Sequence, residues 1–189
     1  TNVKKNNSNQ LVEELMILAN ISAAETIKKF GMGNLFRIHP TPSNEKIETF
    51  RNIKGVGSSI TKNGSKITSA NLNEFVNSAK GADERELYKQ EIIKLLEQAR
   101  YSTKNDGHFG LNLKSYTHFT SPIRRYADII IHRLIIDFTI NQHSMTNRKK
   151  SINLGEICDH ISFTERRSSE AERDTTRRYL AKYLRNRIG

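Results

Sequence analysis

The sequence predicts a mainly helical α+β protein, and three observations predict it. Long stretches place apolar residues at helical spacing behind residues that cap helix starts. Two short stretches, 34–39 and 109–113, alternate apolar and polar residues instead, the period of a half-buried strand. The apolar complement is built on Ile and Leu, with aromatics at 7% and no Trp. At 189 residues the default is one domain with a substantial core.

Residues 1–7 are polar and lysine-rich and are expected to fray, leaving 8–189 as the folded unit. Ser8 is the expected cap of a first helix over 9–30, with Leu11, Val12, Leu15, Met16, Leu18, Ala19, Ala23 and Ile27 as its buried stripe. A short strand follows at 34–39. Ser43 then caps a helix over 44–52 that turns Ile47 and Phe50 inward. The glycine-rich run 52–64 reads as a loop, with a brief extended piece at 66–68.

Ser69 opens a helix carrying Leu72, Phe75 and Val76, and Asp83 caps the next, over 84–99, with Leu87, Ile92, Leu95 and Leu96 apolar. Residues 101–107 read as a polar connection into a strand at 109–113. A helix from Pro122 to about 141 is capped by Ser121 and buries Ile123, Tyr126, Ala127, Ile130, Leu134, Ile135 and Phe138. A basic loop, 142–150, leads to a last long helix capped by Ser151, with Ile152, Ile157, Ile161, Tyr179, Leu180, Tyr183 and Leu184 inward.

The net charge of +11 points toward a polyanion, nucleic acid before an anionic membrane surface. The single cysteine, Cys158, excludes an intrachain disulfide and a thiolate metal cluster, which fits a reducing cytoplasm. The lysines near the start are not followed by the apolar run of a signal peptide, and no apolar stretch reaches the ~20 residues a membrane helix needs. A soluble cytoplasmic protein is the expectation.

The chemistry centres on Ser121-Pro122-Ile123-Arg124-Arg125. Two arginines in the first turn of a helix oppose its dipole, by about 0.3–1 kcal/mol each at exposed sites. Free backbone N–H groups, two guanidinium forks and the Ser121 hydroxyl would together receive a phosphate. The alternative is that Arg124 pairs with Asp128 at i,i+4 and the rest is solvated surface. The run ERRSSEAERDTTRR, 165–178, has the same ambiguity, as a solvated helix of ion pairs or a helix lining a polar channel. The six aspartates are isolated from one another in sequence, so no ready-made metal site is visible, and the histidines suit structural roles better than metal ligation.

The segment HFGLNLKSYTHFTSPIRRYADIIIHR, 108–133, resembles the signature of the ribonuclease II/ribonuclease R family, whose catalytic unit is the RNB domain. VEELMILANISAAE, 12–25, resembles the family's E-E-x-M-x-x-A-N helix. FRIHPTPSNEKIETF, 36–50, resembles its R-V-H-x-x-P segment, and TERRSSEAERD, 164–174, its E-R-R-x-x-x-A-E-R-D helix. The bacterial ribonuclease R branch is the most similar, because His118 precedes Phe119 and two arginines follow Ile123. Residues 52–80 diverge.

The resemblance implies a processive 3′→5′ exoribonuclease that takes single-stranded RNA rather than DNA and releases nucleoside 5′-monophosphates with divalent ions, usually Mg²⁺. It implies that Arg124 holds the phosphate at the cleavage site, that Ser121 and Arg125 adjoin it, and that Glu172 and Arg173 lie near the 3′-terminal nucleotide. The family's metal-binding aspartates belong to the first half of the domain, which this sequence does not match. The expectation is therefore the mainly helical C-terminal half of an RNB domain with a few strands of its sheet. Such a chain would be one half of a split enzyme that needs a separate chain, a non-catalytic RNA-binding module, or a gene remnant.

Overall fold

The computed structural model describes residues 6–31, 33–52, 67–140, 153–185 and 187. The fold is α+β. Helix α1 (Asn7–Lys29) is followed by strand β1 (Phe36–Ile38), α2 (Asn44–Arg51), α3 (Ser69–Asn77), α4 (Ala82–Leu95), strand β2 (Arg100–Ser102), a 3₁₀ turn (Phe109–Leu111), α5 (Tyr126–Ile140) and α6 (Leu154–Leu184).

The helices begin where side chains satisfy orphan N–H groups. Asn6 accepts from Asn9 at α1, and Ser43 accepts from Lys46 at α2. Thr68 and Asn71 form a reciprocal capping box at α3. Asn153 caps α6 by accepting from Glu156, while the expected cap Ser151 lies outside the described residues. The first helix thus starts two residues before the predicted 9, and its cap is Asn6 rather than Ser8. The α4 helix starts behind Gly81 with no side-chain cap, so Asp83 sits inside its first turn. The predicted loops at 52–64 and 142–150 fall almost wholly outside the described residues, and of the extended piece at 66–68 only Lys66 does, while Thr68 is extended.

The two strands pair antiparallel, with Arg37 opposite Tyr101, Phe36 opposite Ser102 and Ile38 opposite Arg100. So the segment read as a polar connection opens with a strand, because Tyr101 buries its ring in the main core. On its other edge β1 takes the irregular segment 115–117. The Arg37 amide donates to the Tyr116 carbonyl at 2.9 Å, and the Thr117 hydroxyl donates to the Leu35 carbonyl at 2.6 Å.

The predicted strand at 109–113 is instead a 3₁₀ turn closed by Asn112 in the left-handed region, φ 53°. His39 explains the difference. Its Nδ1 accepts the Gly110 amide at 3.0 Å, and a Cβ on residue 110 would sit 2.6 Å from that nitrogen. The backbone can approach His39 this closely only at glycine.

One core joins α1, β2, α5 and α6 through Ala23, Ile27, Tyr101, Ile130, Ile131, Cys158 and Ile161. A second joins α2, α3 and α4 around Phe50, Leu72, Phe75 and Leu95. Several expected core positions are outside both. Leu11, Val12, Leu15 and Leu18 are exposed on α1, Leu87 on α4, and Tyr179, Leu180, Tyr183 and Leu184 on α6. Helical spacing identifies an apolar face, and no other described element packs on these faces. Ile123 is fully exposed, because α5 begins at Tyr126 and residue 123 never joins its helical phase.

Asn20 anchors α1 to the segment that leads to the arginine turn. Its Nδ2 donates to the Tyr116 hydroxyl at 2.9 Å, a buried bond, and its Oδ1 accepts from the Phe119 amide at 2.8 Å, a half-buried one. An Asn20→Leu substitution would strand both partners, and each buried unsatisfied group costs about 1–3 kcal/mol. The expected result is an unfolding free energy, read from urea titration, lowered by about 1–3 kcal/mol for each stranded group, with an unchanged m-value.

Candidate phosphate-binding cleft

The arginine segment is a turn that precedes a helix. The Ser121 carbonyl accepts from the Arg124 and Arg125 amides at 3.3 and 3.1 Å, and α5 starts only at Tyr126. Ser121 and Pro122 are therefore not its cap and first residue. Asp128 sets this geometry. Its carboxylate, 0% exposed, accepts from the Ser121 amide at 2.7 Å and from Arg125 Nε and Nη2 at 2.8 Å each. The turn is thereby folded back over the first turn of α5. Of the two arginines it is Arg125, 18% exposed, that pairs with Asp128, and the i,i+4 pairing of Arg124 does not form.

Arg124 is exposed and its guanidinium makes no hydrogen bond or ion pair with any described residue. It lines a cleft of about 460 Å³ with Tyr101, Arg125 and Tyr126 on one side and Thr164, Glu165, Ser168 and Ser169 of α6 on the other. The α6 residues recur at three and four, so they form one stripe of the helix. Tyr126, half exposed, presents an aromatic ring beside Arg124.

The back of the cleft is fixed by a pair that sequence reading missed. Arg37 meets Glu165 through two parallel bonds, Nη1 to Oε2 at 2.5 Å and Nη2 to Oε1 at 2.9 Å. Such a fork is the strong form of an ion pair, and it ties β1 to α6 across 128 residues. Strand register places Tyr101 opposite Arg37, and the guanidinium lies 4.8 Å from that ring's centroid. Both Arg37 and Glu165 stand in the family-like blocks FRIHP and TERR, which were the available signal.

Tyr101 continues the chain of contacts to His118, with 2.7 Å between its hydroxyl and His118 Nδ1. Burial pushes the Tyr101 phenol up to about 12. Burial first, then the Arg125 and Arg37 guanidiniums, push His118 down to about 3. The phenol therefore keeps its proton and the imidazole stays neutral, and the two share one hydrogen bond.

Of the residues proposed from sequence, Arg124 and Arg125 line the cleft and Ser121 lies in the turn that holds them. Glu172 and Arg173 are exposed on α6 and do not line it. Seven residues beyond Glu165, Glu172 is on nearly the same face about 10 Å further along. Among the described residues no three His, Cys, Asp or Glu side chains come together to hold a metal ion. The cleft's carboxylate, Glu165, is engaged by Arg37, so these residues do not by themselves fit a divalent ion.

The RNB domain family model matches residues 1–141. The chain belongs to the RNB domain family. Ribonuclease R of Buchnera aphidicola is 36% identical over 98% of this chain and 26% of its own length. Ribonuclease R of Escherichia coli is 34% identical over 98% of this chain and 24% of its own. The RNB chain thus spans about a quarter of these curated relatives. The apo form of Mycoplasma genitalium RNase R superposes with a TM-score of 0.86 at 30% identity, covering 99% of this chain and 30% of that one. The same enzyme has been solved with double-stranded RNA and with ribose-methylated single-stranded RNA. Yeast Ssd1, described as a pseudonuclease, matches with a TM-score of 0.64 at 31% identity over 82% of this chain and 20% of its own. The family match ends before α6, whereas the ribonuclease R alignments extend through it.

The buried imidazoles make stability acid-sensitive. His118 and His108, the latter pushed down to about 4 mainly by burial, stay neutral in the fold. An unfolded imidazole takes its proton near 6.5, so below that pH the unfolded state binds more protons. Stability should be fully present above about pH 6.5 and fall continuously toward pH 3. Urea midpoints across this range check it. A flat profile between pH 6.5 and 4.5 would contradict the neutral Tyr101–His118 bond.

Proposed function

We propose that residues 8–189 supply the C-terminal portion of the catalytic domain of a 3′→5′ exoribonuclease, in which Arg124 holds the phosphate at the cleavage site. The observation that carries this reading is the unpaired Arg124 guanidinium in a cleft whose neighbouring arginine is already committed to Asp128. A free guanidinium beside an aromatic ring and serine hydroxyls suits a ribonucleotide. Arg124 would neutralise charge that builds on the phosphate oxygens as water attacks in line and the bond from phosphorus to the preceding nucleotide's 3′-oxygen breaks, releasing the RNA's 3′-terminal nucleoside 5′-monophosphate. Tyr126 offers a face on which a base can stack.

Ser121 acts through the turn that presents Arg124. Arg125 contributes its Nη1, which makes no hydrogen bond with a described residue. Glu172 and Arg173, two turns along the same helix, meet the terminal nucleotide once the strand fills the cleft. Magnesium, in this reading, is held by carboxylates outside the present sequence, on the polypeptide that completes the domain, and the assembly works on single-stranded RNA in the cytoplasm.

The likeness to yeast Ssd1 favours a second reading, a non-catalytic RNA-binding module in which Arg124 is a phosphate cradle. The two readings separate in one experiment. The purified chain is incubated with 3′-labelled single-stranded RNA and Mg²⁺, alone and with a protein carrying an aspartate run of the D-x5-D-x-D-D kind. The exoribonuclease reading expects no mononucleotide from the chain alone and release from the mixture. Absence of release from the mixture, with binding that needs no Mg²⁺, supports the module. Robust release by the chain alone would overturn the assignment of the metal ligands to another polypeptide.

Arg124→Ala should weaken RNA binding by about 10- to 100-fold, the loss of a charge-assisted contact worth about 1.5–3 kcal/mol. It should also make the dependence on salt shallower by about 0.7 in log–log slope. Arg124→Lys should recover only part of the affinity, because an ammonium lacks the planar fork.

A further inference from the structure

A second cleft adjoins the seam between β2 and α6. At that seam the Tyr101 amide donates to Ser162 Oγ at 3.0 Å, and the Ser162 hydroxyl donates to the Cys158 carbonyl at 2.7 Å. Arg100 and Ser102 flank Tyr101 and belong to the opposite face of the strand. On α6, Asp159, Ser162 and Arg166 recur at three and four and form a stripe beside the one that lines the Arg124 cleft. Together with Thr103 they enclose about 360 Å³.

The hydrogen-bonding groups around this cleft are unevenly matched. The Arg100 and Arg166 guanidiniums make no hydrogen bond or ion pair with any described residue. Ser102 Oγ accepts from the Lys104 amide at 3.0 Å, which leaves its proton free to donate. The Thr103 hydroxyl has no protein partner among the described residues, and neither does the Asp159 carboxylate, the one anionic group of the cleft. Two guanidinium forks and two hydroxyls thus surround a single acceptor that forms no ion pair with either arginine. A bare phosphate would use the donors but would be repelled by Asp159. A phosphate joined to a sugar hydroxyl satisfies both, because an ionised carboxylate can only accept.

We propose that this cleft is a second RNA-binding site, in which Arg100 and Arg166 hold a backbone phosphate and Asp159 accepts the hydrogen of the adjoining ribose 2′-hydroxyl. The proposal rests on the RNA reading of the Arg124 cleft for its choice of polymer. It adds a contact on the other side of the Tyr101 seam and a means of telling RNA from DNA, since deoxyribose has no hydroxyl to offer Asp159.

The test uses the full chain and two fluorescein-labelled probes, a single-stranded oligouridylate and the oligodeoxyuridylate of equal length. Arg100, Asp159 and Arg166 are exposed, so their substitution should leave the thermal melt unchanged. Arg100→Gln with Arg166→Gln should reduce oligouridylate affinity about tenfold and flatten its salt dependence by about 0.7 in log–log slope. The same loss should appear in an Arg124→Ala background. Asp159→Ala should bring the RNA-to-DNA affinity ratio toward one while leaving DNA binding equal or stronger. Millimolar inorganic phosphate should fail to displace the RNA.

Unchanged affinity in the Arg100/Arg166 variant, or an unchanged RNA-to-DNA ratio in Asp159→Ala, overturns the proposal. If the Arg124→Ala effect persists in that case, the first cleft stands without the second. Loss of binding only in the Arg100/Arg166 variant would overturn the Arg124 reading and keep this one. Displacement by inorganic phosphate would make the cleft a general anion site and overturn the ribose contact.

Discussion

A carboxylate removed from water organises the turn that carries the candidate arginines. Burying Asp128 and the adjoining Arg125 costs several kcal/mol per ion before any bond is counted, and only good geometry offsets that. Asp128 receives the Arg125 guanidinium through two nitrogens and the Ser121 amide as a third donor. These bonds hold 121–125 as one rigid turn. They also decide which arginine is free. Because Arg125 completes the carboxylate's shell, Arg124 remains without an anion of its own while lining the cleft. The charge of one arginine is thus left uncompensated by satisfying its neighbour first.

A second, longer chain of contacts supports the opposite wall. Antiparallel register puts Arg37 across from Tyr101, the Arg37 fork reaches Glu165, and Tyr101 reaches His118. Each partner lies on a different segment, so the cleft depends on β1, β2, α6 and the 115–119 segment arriving together. Asn20 adds α1 to the same assembly. Burial, with the Arg125 and Arg37 guanidiniums adding to it, keeps His118 uncharged, and burial keeps the proton on Tyr101 although Arg37 opposes it.

Local chemistry in the sequence was legible and partner choice was not. Ser43 caps α2 as its spacing predicts, and the alternation at 36–38 forms a strand. The arginine pair marks the site because its cost at a helix start needed a reason. Its geometry escaped because the segment precedes the helix, where i,i+4 rules do not apply and residue 125 meets 128 instead. The 3₁₀ turn at 109–111 escaped because its cause, His39, is 71 residues away. The apolar faces of α1 and α6 show most clearly where pattern reading stops. Periodicity says that Leu11, Leu15 and Leu18 share a side of a helix, but it carries no information about whether this chain covers them. The family-like blocks contain Arg37 and Glu165 without marking either, and nothing in them says that the two touch.

The α6 helix spans 31 residues, close to 46 Å at about 1.5 Å per residue, and its buried residues end at Ser162. Beyond that seam it runs as a lever whose fulcrum is the Tyr101–Ser162 bond and whose tether is the Arg37–Glu165 fork. A tilt of about 5° at the fulcrum carries the far end, about 33 Å away, through about 3 Å, while Ser168 and Ser169 move by less than about 1 Å. A load on the distal turns is therefore felt in the cleft as a small, geared-down displacement. The arm amplifies motion outward and divides it inward.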